Sequence, residues 1–577
     1  MMSTITETNG HAASGPRAAT RAALDVMLTD AAIEPTAAAR LVRPTVAARL
    51  AGGLARHPRR TAGRVRGLGS ELIRVAAGGS ELAPPKGDRR FVDRAWQESW
   101  MFHRLMQAYL ALEGTVDGLV DAASLDWRND ARVRFMLDNL LDAVAPTNFP
   151  LTNPQVLKET IDRGGANLVR GGRRLIRDVS KGRLPAMVDT TKFQVGGNLA
   201  VSEGSVVLHT EVFELIQYRP TTAEVYETPL LVVPPTINKY YILDLAPGRS
   251  MVEYLVGQGH QVFVMSWRNP DKEHSHFDFD TYAQAVVEAR TAVGEIAGQG
   301  SVNMMAACSG GIITAGALGH LADEGHLGEV ASLTLLVCAL DNSSSGTTEA
   351  LTSKPIAAAA VAESARRGYL DGEALASVFA WLRPNDLVWN YVINNYLMGK
   401  EPPAFDILYW NQDTVRLAAG LHRDFVMMGL ENALATPGGM RVLGTDVDLG
   451  KVEVDAYIVA GSADHIVQWT NAYRSTQLLG GDSRFVLSTS GHIQALINPP
   501  SGWAGTESRS SYRIAASNPP DIQDWEEQAV MHRGSWWPDY IEWLELRSGQ
   551  KVPAPKKLGS RLHKAMAKAP GTYVMAS

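Results

Sequence analysis

Apolar residues along this chain change their spacing twice. From Phe91 the aromatic and aliphatic positions Trp96, Trp100, Phe102, Leu105, Tyr109 and Leu112 fall mostly three or four apart, which predicts an amphipathic helix. The same period continues through "RVRFMLDNLLDAV" and stops at the loop "APTNFPLTNP". After about residue 205 the pattern turns into short apolar runs: "TPLLVVPPT", "HQVFVMSW", "SVNMMAAC", "SLTLLVCAL", "VDAYIVAG" and "SRFVLSTSG". Helical stretches such as "GRSMVEYLVGQG" and "DTYAQAVVEARTAVGEI" lie between several of them. Buried strands alternating with helices predict an α/β fold built on a mainly parallel sheet.

One interval breaks this rhythm. Residues 342–450 carry helical patterning and many aromatics, as in "VFAWLRPNDLVWNYVINNYLMG" and "FDILYWN". Placed after one core strand and before the next, they predict a cap over the carboxyl edge of the sheet, where open α/β sheets bind ligands. The predicted organisation is therefore a helical N-terminal domain over 91–204, a catalytic core over 205–341 and 451–545, and the cap between the two core segments. Residues 1–90 are rich in Ala, Arg and Gly ("RHPRRTAGRVRGLGS") and predict a basic, partly disordered or weakly helical segment. Residues 546–577 ("SGQKVPAPKKLGSRLHKAMAKAPGTYV" for most of their length) predict an extended, poorly packed basic tail. No internal repeat is evident.

Composition narrows the class. The 577 residues are 45% hydrophobic and carry a formal net charge of −6, which argues against whole-surface nucleic-acid binding. Two cysteines cannot build a disulfide framework, so a reducing cytoplasm is the expected compartment. No apolar run reaches transmembrane length, and the first residues lack the apolar core of a secretory signal.

The chemistry is expected where strands end. In the G-x-S-x-G pattern a nucleophile occupies a sharp strand-to-helix turn. Here that turn reads Ala306-Ala307-Cys308-Ser309-Gly310, with Cys308 in the nucleophile position and Ala306 replacing the first glycine. In that arrangement the chain order is nucleophile, acid, histidine. Asp464 follows "VDAYIVAG" and His492 follows "SRFVLSTSG", so both leave the sheet on the same edge as Cys308 and in that order. Capping a turn is the ordinary alternative for Asp464, and a loop role for His492. His465, beside Asp464, is a rival base and is assigned a supporting place near substrate. Cys338, within "TLLVCALD", is expected to be an unreactive core thiol. The oxyanion donors are expected to be the backbone N–H of Ser309 and those of Thr236 and Ile237, since Pro234 and Pro235 have none. A thiolate exchanges readily with a thioester, so a cysteine here suits acyl transfer from a coenzyme A ester. No metal-ligand cluster and no phosphate-binding glycine loop of the Walker type is present, so no metal and no cofactor beyond the CoA thioester substrate is expected.

At this point the chain resembles a known family. "FVDRAWQESWMFHRLMQAYL", "APTNFPLTNP", "VVPPTINKYYILDLAPGRSMVEYLV", "VFVMSWRNPD", "AACSGG", "PPAFDILYWNQDTVRL", "AGSADHIVQW", "SGHIQALINPP" and "APGTYV" are similar to polyhydroxyalkanoate synthases. "EPPAFDILYWN" and "GHIQALINPP" are most similar to the class II branch, which favours medium-chain monomers. The resemblance implies an α/β-hydrolase fold and polymerisation of (R)-3-hydroxyacyl-CoA with release of CoA through a covalent cysteine thioester. It assigns the nucleophile to Cys308, the essential aspartate to Asp464, the base to His492, and a substrate-route or dimer-contact role to Trp410. It further implies a homodimer, a growing polyester chain as partner, no nucleic acid, and a cytoplasmic place at the surface of polyester granules. Ala306 departs from the family's box, which begins with glycine. A thioesterase or polyester depolymerase on the same fold is the alternative enzyme, and a granule-coating protein the alternative of another class.

Overall fold

The structure, a computed structural model, describes residues 28, 31, 32, 44–86, 88–125, 127–180, 185–342, 354–382, 384–505 and 507–576. Most of the first 43 residues of the basic segment and residues 343–353 of the cap lie outside this set. The chain divides into two compact units, one drawing on Leu41–Ala186 and Arg383–Pro402, the other on Met187–Leu382 and Pro403–Ser577.

The first unit is helical. Its central helix, Trp100–Ala123, and the turns before it enclose Phe91, Trp96, Phe102, Met106, Tyr109 and Leu110. Trp100, which falls on the three-four spacing, is 72% exposed, so the buried stripe is narrower than the pattern suggests. The basic segment holds two helices, Pro44–Arg56 and Pro58–Ala77. Alanine and arginine are good helix formers, Pro58 sits in the first turn, where its missing N–H costs nothing, and Gly78 ends the second helix in a left-handed conformation (φ 81°). Arg383–Pro402, within the interval assigned to the cap, groups with this helical unit.

The second unit is built on an eleven-stranded sheet. In chain order the strands are β1 (Gly204–His209), β2 (Phe213–Tyr218), β3 (Leu230–Val233), β4 (Val262–Trp267), β5 (Val302–Ala307), β6 (Val330–Leu336), β7 (Ala456–Gly461), β8 (Ser483–Ser488), β9 (Ser511–Ile514), β10 (Val530–Arg533) and β11 (Ala567–Lys568). Across the sheet they run β10-β9-β8-β7-β6-β5-β3-β4-β2-β1-β11. The central six, β8-β7-β6-β5-β3-β4, are mutually parallel and coincide with the six apolar runs of the sequence. Val232, Val264, Met305, Leu336, Val459 and Val486, one from each, meet in a single core on one face with Trp536, Trp537 and Tyr540. Parallel strands place all their carboxyl ends on one edge, so side chains that leave β5, β7 and β8 there converge.

Between β6 and β7 lie the helices Lys354–Arg367, Gly372–Leu382, Asp406–Gln412 and Ala419–Glu431. The C-terminal residues differ from the expected loose tail. Lys551–Pro553 pairs with Glu224–Tyr226, and β11 extends the sheet beside β1. Glu214 on β2 is buried and accepts the Thr572 hydroxyl (2.6 Å) and the N–H groups of Thr572 and Tyr573 (2.8 and 3.0 Å). A buried carboxylate needs donors, and the end of the chain supplies them. Gly571 makes the approach possible: at φ 83°, a Cβ there would lie 2.4 Å from Glu214 Oε2.

Candidate active site

β5 runs without a loop into the helix Ser309–Asp323, and the turn between them is a single residue, Cys308. Its φ of 47° and ψ of −122° lie in a region that non-glycine residues rarely adopt, the strained turn of a nucleophile elbow. The strain is held from both sides. Cys308 N–H donates to Leu336 O on β6 (2.9 Å), and Cys308 O accepts from Gly311 N–H (2.9 Å). Small residues after the thiol are obligatory. A Cβ on Gly310 would lie 2.4 Å from Pro234 O, and one on Gly311 2.7 Å from Cys338 Sγ. Ala306 is fully buried on β5 opposite Val233 and Leu335, so the sheet accepts the methyl group that replaces the glycine.

Asp464 follows β7 and does two things with its two oxygens. Oδ1 accepts Ile466 N–H (2.8 Å) and Val467 N–H (2.9 Å), which caps the turn. Oδ2 meets Nδ1 of His492 at 2.6 Å. The capping role and the pairing role are therefore simultaneous. His492 opens the helix His492–Leu496 after β8, and both side chains are buried. Burial opposes charge on the imidazole, but the Asp464 carboxylate and a hydrogen bond from the Cys308 side outweigh it and push the pKa up to about 10. With Nδ1 turned to the carboxylate, Nε2 is the ring atom left for the thiol. Cys308, Asp464 and His492 thus come together at the carboxyl edge.

The other expected site residues fare differently. Thr236 N–H donates to Ser309 Oγ (2.9 Å), and the two hydroxyls lie 3.1 Å apart. That amide is engaged, which leaves Ile237 as the candidate donor from the loop after β3, beside the amide of Ser309. Trp410 is 2% exposed, packs in the core with Tyr240 and Tyr241, and donates Nε1–H to Lys239 O (2.7 Å). Its ring fixes a helix of the insertion to the loop after β3 and does not line an open cleft. His465 is half-buried on the turn that Asp464 caps. Cys338 is buried, and burial pushes its thiol well above the ordinary range. Among the described residues no cluster of His, Cys, Asp and Glu is arranged to hold a metal ion.

Two contacts near the site carry no signal in the sequence. Lys239, nearly buried, pairs with Asp413 (2.6 Å), which also accepts the Tyr241 hydroxyl (2.8 Å). Arg249 binds Asp406 through both carboxylate oxygens at 2.6 Å. Together they clamp both ends of Asp406–Gln412 onto the segment that follows β3.

With this geometry in place, relatives can be compared. The family described as the N-terminus of poly-beta-hydroxybutyrate polymerase (PhaC) matches residues 87–255, and the alpha/beta hydrolase fold family matches residues 229–499. The chain is 44% identical over 521 residues to poly(3-hydroxyalkanoate) polymerase 2 of Ectopseudomonas oleovorans, covering 90% of this chain and 92% of that protein. It is 42% identical to polymerase 1 of the same organism, over 90% of this chain and 92% of that protein. The polymerase subunit PhaC of Cupriavidus necator is 40% identical over 87% of this chain and 85% of its own. Among solved structures, a monoacylglycerol lipase of Paleococcus ferrophilus aligns over 59% of this chain and 100% of its own, with 13% identity and a TM-score of 0.31. The two Ectopseudomonas matches agree with the class II-like resemblance, and an elbow on a mostly parallel sheet agrees with the matched fold. The chain belongs to the poly(3-hydroxyalkanoate) polymerases, acyltransferases on an α/β-hydrolase fold.

Proposed function

We propose that this protein polymerises (R)-3-hydroxyacyl-CoA through a covalent thioester on Cys308. The observation that carries the reading is the buried 2.6 Å contact between His492 and Asp464, on an imidazole that also interacts with the Cys308 side chain. His492, kept charged by Asp464, holds the proton that Cys308 gives up, and the thiolate paired with it attacks the thioester carbonyl. The amides of Ser309 and Ile237 receive the developing oxyanion. The bond to the CoA sulfur then breaks, and CoA leaves with the proton that His492 returns. The 3-hydroxyl of a further unit loses its proton to His492 and attacks the acyl-cysteine carbonyl. The ester bond forms and the Cys308–acyl bond breaks; the expelled thiolate pairs with the His492 that took the hydroxyl proton, and the chain, now a CoA ester one unit longer, reloads Cys308 by the same thioester exchange. Asp464 holds the imidazole in register and stabilises its charged form. Insoluble polyester is the product of this cycle, and association of the enzyme with its surface belongs to the same proposal.

The test is incubation of purified protein with 3-hydroxyacyl-CoA esters of several lengths, following CoA and insoluble polymer together. Cys308→Ala abolishes both signals, whereas Cys338→Ala retains them, because its thiol is held neutral by burial. Polymer from Cys308→Ala overturns the nucleophile. Free hydroxy acid without polymer from the native chain overturns the polymerase reading in favour of a hydrolase.

A further inference from the structure

The helix Ala166–Ser180 of the helical unit is oriented against the usual rule. Its polar side is the packed one. Asn167 is fully buried and donates Nδ2–H to Thr160 Oγ1 and Leu397 O (both 2.8 Å). Asp178 accepts the Tyr396 hydroxyl (2.8 Å), and Arg174 reaches Lys400 O and Glu401. Gly171 lies so close to the backbone of Tyr396 that any Cβ there would collide with it.

At 3.6 residues per turn, Leu168, Val169, Gly172, Leu175, Ile176 and Val179 occupy one continuous arc on the opposite side. This arc faces outward: Val169 is 57% exposed, Ile176 72% and Val179 66%. Arg170, Arg173 and Arg177 lie along one border of the arc. The helix has a single acidic residue, Asp178, and its carboxylate is held by Tyr396 on the packed side. The charges flanking the apolar arc are therefore all positive.

An exposed apolar stripe edged only by arginines matches a surface that is apolar below and negatively charged above. We propose that Ala166–Ser180 is an interfacial helix that docks this unit on an anionic phospholipid surface. Leu175, Ile176 and Val179 enter the acyl boundary, and Arg173 and Arg177 meet the phosphates. An uncharged polyester surface accounts for the apolar stripe but not for the arginines. A second copy packed helix against helix is not favoured either, since that contact would set these arginines against one another. No helix among the described residues is long and apolar enough to cross a membrane, so the docking is peripheral. This inference is independent of the chemistry at Cys308.

The experiment is flotation of the full chain with vesicles of phosphatidylcholine alone, or with a third of phosphatidylglycerol, at low and high salt. Particles of lipid-free polyester form a third arm. The native chain floats with the anionic vesicles, and binding falls as salt rises. Losing two arginines (R173Q with R177Q) weakens partition by about tenfold or more, from roughly 1 kcal/mol per basic residue near such a surface. Ile176→Asp with Val179→Asp abolishes it. Both positions are already solvent-exposed, and far-UV circular dichroism with urea unfolding reports that the variants remain folded. Equal binding to neutral and anionic vesicles, binding to polyester particles alone, or unchanged binding by both variants overturns the proposal. So does a change of oligomeric state in Ile176→Asp with Val179→Asp that accounts for the lost flotation, since a second copy then covers the helix.

Discussion

Replacing Asp464 by Asn separates the two tasks of one carboxylate. The amide oxygen still accepts Ile466 N–H and Val467 N–H, now 2.8 and 2.9 Å from Oδ1, so the turn and the fold persist. The atom facing His492 Nδ1 becomes an NH2 donor, which forces the proton onto Nε2 and turns the base away from its task. In a serine protease the corresponding change costs about 10⁴ in turnover, and a loss of about 10³–10⁴ in acylation is expected here. The same substitution removes the charge that raises the His492 pKa most, leaving burial, opposed only by Cys308, to lower it. The pH sign follows. His492 is raised to about 10 in the folded chain, so its contribution to stability is fully present below its unfolded value of about 6.5 and is lost as pH rises towards 10. At about 1.4 kcal/mol per pKa unit, the contribution is on the order of several kcal/mol. Urea unfolding of native and Asp464→Asn chains at pH 6, 7.5 and 9.5 measures it, and the burst of CoA in the first turnover measures acylation. The native advantage should be largest at pH 6 and shrink by pH 9.5. An advantage that is flat or grows with pH, or a burst of native amplitude and rate in the variant, would refute the coupling of Asp464 to the base.

Two further outcomes follow from close contacts. Gly310→Ala drives a methyl into Pro234 O and Val233 O, both backbone atoms, so the nucleophile helix must shift from β3; a stability loss of about 1–3 kcal/mol and a fall in acylation are expected, and native burst kinetics in a folded Gly310→Ala chain would show that the approach is not needed. Asp413→Asn leaves Lys239 buried without its countercharge, with a loss of about 3 kcal/mol or more by thermal or urea unfolding, whereas an unchanged midpoint would mean that Lys239 finds water or another partner.

What could be read from the pattern, and what could not, divides along a physical line. The six central strands are legible because each is short, mostly apolar and buried along nearly all of its length, and such runs look alike in any α/β protein. The candidate site residues are legible for the same reason: Cys308, Asp464 and His492 each stand just past the end of one of those runs. β2 is harder to read, because a charged residue, Glu214, interrupts it, and that charge makes sense only once Thr572 and Tyr573 arrive from the far end of the chain. Its partners lie in a stretch whose prolines, glycines and lysines look like a solvated tail. The Lys239–Asp413 and Arg249–Asp406 clamps are silent in the same way. Thr236 shows the limit within the site itself. Its place after two prolines identifies it as an oxyanion candidate, but Ser309 Oγ, brought to it by the elbow, takes the N–H. Local spacing can nominate the donors of such a hole. Which one remains open depends on a hydroxyl that reaches the loop only after β3 and β5 have paired.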